Sequence, residues 1–96
     1  MVMGFVKKLF GTSAAAEPER DGDPVEHEGF TIIPAPVRDG SSWRVAGRIT
    51  REIDGTVRTY EFVRADTFAD REAAIETSLF KGRRIVDEQG QAMFRD

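Results

Sequence analysis

The 96-residue chain contains no cysteine, which excludes disulfides, thiolate metal sites and cysteine nucleophiles at once. Its single histidine, His27, lies between Glu26 and Glu28 in a polar stretch, where a solvated side chain is the expected state. There is no Ser-His-Asp set, no glycine-rich phosphate loop, and no histidine and carboxylate at ligand spacing. No catalytic, metal or cofactor-binding residue is therefore assigned. The carboxylates Asp66, Asp70 and Glu72 cluster where a helix should begin, and capping accounts for them. No apolar run is long enough to cross a bilayer, and no secretory signal is read in the first residues. A domain this small has little room for both a core and a cavity, so a non-catalytic protein with no small-molecule substrate is expected.

An excess of positive charge is also lacking. The net charge is −3, which argues against a protein that coats nucleic acid through bulk electrostatics. The distribution says more than the total. Residues 1–29 hold three basic and six acidic side chains, whereas residues 30–96 hold eleven of each, ten of the cations being arginine. The negative excess thus belongs to the N-terminal third.

Three regions are expected along the chain. Residues 1–10 form a short amphipathic segment in which Val2, Phe5, Val6 and Leu9 share a helical face. So short a helix is marginal in water. Either it anchors Phe5, Leu9 and Phe10 in a membrane surface or a partner, or it folds back over the domain. Residues 11–28 are rich in acidic residues, glycine and proline, with Val25 the only large aliphatic, and read as a disordered linker. Residues 29–96 form the folded domain.

Within that domain the run from Trp43 to Asp66 reads as a two-stranded hairpin turning at Asp54-Gly55, a dipeptide suited to the two positive φ values of a type I′ turn. The turn pairs Ile53 with Thr56, and the partners run outward from there. Trp43, Val45, Gly47, Ile49, Tyr60, Phe62 and Arg64 then share the core face, with Gly47 under the Phe62 ring. The opposite face pairs Arg48 with Glu61, Thr50 with Thr59, Glu52 with Val57 and Ala46 with Val63. An earlier strand, Phe30 to Ile33, is stopped by Pro34 and Pro36 and is expected at a sheet edge. Val37 to Ser42 reads as a loop. A helix follows Asp70, the better of two candidate N-caps with Asp66, and ends at Gly90 as a left-handed cap. Its core stripe is Ile75, Leu79, Gly82 and Val86, flanked by Ser78 and Ile85, and the Trp43 or Phe62 ring is expected to fill the notch at Gly82. Met93 and Phe94 close the fold as an apolar clasp. The expected class is α+β: a three-stranded antiparallel meander with one C-terminal helix on one face, β-β-β-α.

Two surfaces stay unassigned by the core. One is the helix face around Phe80, with Lys81, Arg83 and Arg84. It suits a phosphate or a base, a cover formed by Met93 and Phe94, or a second copy of the chain in a homodimer. The other is the open sheet face, with Arg44, Ala46, Arg48, Val57 and Val63, which suits solvent or a modest protein interface.

The segments Gly29–Val37 (GFTIIPAPV), Trp43–Ile49 (WRVAGRI), Phe62–Thr67 (FVRADT) and Ile85–Gly90 (IVDEQG), with the Leu-Phe-Gly after a short apolar start, resemble the HlyU-like family of small bacterial proteins. The resemblance covers nearly the whole chain. It implies a cytoplasmic, alphaproteobacterial protein acting as a transcriptional activator. No helix-turn-helix is visible, so DNA contact would fall to the sheet arginines Arg44 and Arg48 or to the Phe80–Arg84 helix face. The alternative is a small adaptor that binds a protein or itself, with residues 1–10 as its anchor.

Overall fold

The structure, a computed structural model, describes residues 21–95. The strands are β1 (Val25–His27), β2 (Phe30–Pro34), β3 (Val37–Asp39), β4 (Ser42–Ile53) and β5 (Thr56–Phe68). The helix α1 (Arg71–Gln89) and a 3-10 turn (Gly90–Phe94) follow. The class is α+β, but the antiparallel sheet has five strands where three were expected.

One extra strand comes from a short turn that the sequence reading passed over, and the other, β3, lies inside the Val37–Ser42 stretch read as a loop, where Val37–Asp39 pairs with β4. Glu28 and Gly29 both take positive φ (53° and 84°) and fold Val25–His27 back on β2, pairing Val25 with Ile32 and His27 with Phe30. Part of the stretch read as linker is therefore strand, because Val25 finds apolar surface beside Ile32. It also follows that β2 is not an edge strand: it lies between β1 and β4. Pro34 and Pro36 interrupt the pairing without ending it. Ala35 between them still donates its N–H to the Ala46 carbonyl (2.9 Å), and the chain resumes as β3 along the same edge of β4, pairing Val37 with Arg44. Counted as one broken strand, β2 and β3 complete a meander with β1, β4 and β5.

The β4–β5 hairpin turns at Asp54 and Gly55, with φ of 55° and 81°. Its pairs run as expected from Ile53–Thr56 through Ile49–Tyr60 and Gly47–Phe62 to Ala46–Val63. A Cβ on Gly47 would lie 2.8 Å from both the Ile33 carbonyl oxygen and Phe62 Cζ, so glycine is required for the ring to lie across the backbone.

Helix α1 covers the face that carries Ile32, Val45, Ile49 and Phe62. Asp70 is its N-cap residue, in extended conformation and without a side-chain cap bond. Gly90 ends it with a positive φ of 52°, but a ψ of −140° keeps it out of the left-handed helical region; its N–H bonds to the Val86 carbonyl. The buried helical residues are Ala74, Ser78, Gly82, Ile85 and Val86, so the stripe is rotated slightly from Ile75 and Leu79, which are half-buried. The notch at Gly82 is filled by neither ring: a Cβ there would meet Ile32 Cγ2 at 2.6 Å. Ile32 and Ile49 are fully buried, each contributing roughly 1.5–3 kcal/mol. Met93 and Phe94 do close the core, and Phe94 stacks on Phe30 at 6.1 Å. Trp43, placed in the core by alternation, is only half-buried, with the Arg38 and Arg71 guanidinium groups 4.9 and 5.5 Å from its ring centre.

Candidate functional site

The hairpin register slips once. Between the pairs Arg44–Thr67 and Ala46–Val63, β4 holds Val45 alone while β5 holds Arg64, Ala65 and Asp66. Unbroken alternation would set Arg64 opposite Val45, which is fully buried under the helix. An unpaired guanidinium there would cost several kcal/mol. The bulge turns Arg64 out to solvent instead. Bulges commonly re-aim side chains in this way.

The re-aimed residues meet α1. Arg64, Ala65 and Asp66 form one wall of an open groove of about 410 Å³, and Lys81, Arg84 and Glu88 form the other. Lys81 lies 4.0 Å from Asp66, and Arg84 donates to Glu88 at 2.8 Å. The Glu88 hydrogen bond and then its charge raise the Arg84 pKa above its ordinary value. Three cations against two acids leave the groove one net positive charge. Arg44 reaches its rim, donating to the Arg64 carbonyl (3.2 Å) and to Asp39 (2.5 Å).

Of the residues singled out from sequence, Lys81 and Arg84 therefore come together, with Arg44 at the rim. Phe80 is exposed at 53% beside them. Met93 and Phe94 do not cover it, because both are committed to the core. Arg83 falls on the other flank of the helix at 100° per residue, and no ion pair holds it among the described residues. Arg48 is separate too, paired with Asp21. Phe5, Leu9 and Phe10 lie outside the described residues.

Sequence reading missed Arg64, although a signal was present: an arginine assigned to a core face is a conflict that a bulge resolves. It also misjudged His27, whose Nε2 lies 2.9 Å from Asp87 Oδ1 on α1. Among the described residues no group of His, Asp or Glu side chains is arranged to hold a metal ion, and no helix is long and apolar enough to cross a membrane.

Residues 4–94 match the family described as Transcriptional activator HlyU. The chain belongs to the HlyU family. No curated protein and no solved structure matches it. The family is described as one of transcription regulators, and a single α-helix among the described residues leaves no helix-turn-helix in this part of the chain. Any DNA contact by the described residues of this HlyU chain is made by other means.

Proposed function

We propose that this chain is a non-catalytic transcriptional regulator of the bacterial cytoplasm. In this reading it contacts DNA through the groove between the β5 bulge and α1. Arg64, Lys81 and Arg84 meet the phosphates, Arg44 extends the contact at the rim, and Phe80 lies against sugar or base. The observation that supports this is the convergence of three cations from two elements on one open groove. Their acid partners are exposed, and such surface pairs are weak, so phosphate oxygens can take their place. A net charge of only one positive unit in the groove suits a contact that needs neighbouring sites or partners for affinity.

Titration of the full-length protein against mixed-sequence duplex DNA at two salt concentrations tests it. Three phosphate contacts predict a slope of log K against log salt of about −2.7. The double reversal Arg64→Glu/Arg84→Glu should abolish binding, while Arg83→Glu/Arg48→Glu should leave most of it. No binding at low salt, or equal loss in both variants, sinks the reading.

A second reading, the adaptor, has its own support. Val37, Val57 and Val63 on the open sheet face are each more than half exposed, which fits a protein interface better than solvent. Deleting residues 1–10 would then change the protein's location while leaving its melting temperature unchanged.

A further inference from the structure

Strand β5 is thirteen residues long and pairs only with β4, so its outer edge has no partner among the described residues. The other end of the sheet is closed by β1, three residues long. Long bare edges invite pairing with another chain, and proteins usually blunt them with bulges, prolines or charges. Here the bulge blunts the end after Val63. From Thr56 to Val63 there is neither bulge nor proline. The one cation in that stretch, Arg58, is turned to the Phe94 carbonyl (3.0 Å).

The backbone geometry of this edge follows from the turn. Ile53 and Thr56 flank a two-residue loop and bond to each other, so Thr56, Arg58, Tyr60 and Phe62 point their N–H and C=O groups at β4. Val57, Thr59, Glu61 and Val63 point theirs outward. The same alternation recurs across β4, where the Ala46 carbonyl faces away from β5 and takes the Ala35 N–H.

We propose that this edge pairs antiparallel with the same edge of a second copy, about a two-fold axis at Tyr60. Matching faces require the axis to pass through a residue, which leaves few registers. An axis at Arg58 or at Glu61 sets like charges directly opposite. An axis at Thr59 sets Val57 against Glu61 and Val63 against the turn. An axis at Phe62 runs into the bulge. At Tyr60, Val57 meets Val63 of the second copy and Thr59 meets its Glu61, each twice, and no like charges oppose. Val57 and Val63 are 65% and 64% exposed in the single chain, and this register covers both. Four outward-facing pairs form, each exchanging two backbone hydrogen bonds. The paired stretch is well short of the ~800 Å² per partner of a standard interface, so the dimer is weak, with Kd on the order of 10–100 μM. The inference does not rest on the DNA reading.

Sedimentation of the full chain from about 5 to 500 μM tests it. A reversible monomer–dimer equilibrium is expected, weakened about tenfold or more by Val57→Lys/Val63→Lys, whose positions are exposed and leave the fold intact. Glu61→Pro should act alike, since proline there removes only an outward N–H. The register is read by disulfide formation in a chain with no other cysteine. Tyr60→Cys should cross-link readily, because a non-hydrogen-bonded pair sets Cα atoms about 4.5 Å apart, within disulfide range. Thr59→Cys should cross-link far more slowly. A monomer at about 500 μM overturns the proposal. So does a dimer untouched by both edge variants, or one in which Thr59→Cys cross-links as fast as Tyr60→Cys.

Discussion

The two halves of the β4–β5 hairpin run through similar alternating sequence and behave differently. From the Asp54-Gly55 turn to Ala46–Val63 the ladder is continuous, with Ile49, Gly47 and Phe62 buried on the helix-covered face. Past Val63 the partner of β4 is displaced by two residues, β5 swells outward, and Ala46 turns its N–H to Ser78 Oγ (3.2 Å), which in turn donates to the Ala74 carbonyl (2.7 Å). The regular half is core. The irregular half carries the groove. What separates them is one side chain, Arg64, for which alternation offers only a buried position.

That contrast can be broken most severely by removing the bulge. Deleting Ala65 and Asp66 restores a continuous register but drives Arg64 under the helix opposite Val45. The domain should lose roughly 3–5 kcal/mol or fail to fold, and adding Arg64→Val to the deletion should recover most of the loss. Urea denaturation of the two variants checks this. A deletion that leaves stability unchanged would mean that Arg64 is not the cause of the bulge.

A smaller effect is expected in the regular half, at Gly47. Its Cβ space is taken by the Ile33 carbonyl and the Phe62 ring, so Gly47→Ala should cost about 1–3 kcal/mol through overpacking, seen as a lower unfolding midpoint at unchanged slope. Alanine usually suits a strand better than glycine, and a stabilised variant would show that the Phe62 ring does not lie across Gly47.

The smallest effect sharpens the boundary between the halves. Ser78→Ala leaves the Ala46 N–H without its acceptor beside the proline break. A loss of about 1–2 kcal/mol is expected, with faster hydrogen exchange at the Ala46 amide and little change at Ile49. Equal acceleration along the whole of β4 would mean that the halves unfold as one unit.

Much of this was legible in the residues. Asp54-Gly55 carried the turn, the turn carried the register, and the register placed Gly47 under Phe62 and Arg48 beside Glu61. Asp70 and Gly90 bounded the helix. The misses share a cause. Glu28-Gly29 makes a hairpin turn although glutamate rarely adopts positive φ, so β1 was hidden in an acidic stretch. Pro34 and Pro36 were read as a strand's end, but the Ala35 N–H between them kept the pairing alive into β3. In the site, Lys81 and Arg84 were named as a helix face, while Arg64 was assigned to the wrong side of the sheet because alternation was carried one residue too far.

By itself the sequence determined whatever depends on neighbours in the chain. Turn dipeptides set the local backbone, period-two and helical patterns set the buried faces, and the absence of cysteine and of a second histidine narrowed the chemistry. Only the tertiary structure decided which groups from distant segments share a space. Ile32 rather than an aromatic ring fills the notch at Gly82, Trp43 lies under two arginines, and the β5 bulge brings Arg64 to Lys81 and Arg84. The reason is physical: backbone preferences act over a few residues, whereas burial and charge are settled by packing the whole domain at once. At Arg64 the two meet: the local pattern assigns it to the core face, and in the folded domain the strand bulges there and the side chain is exposed.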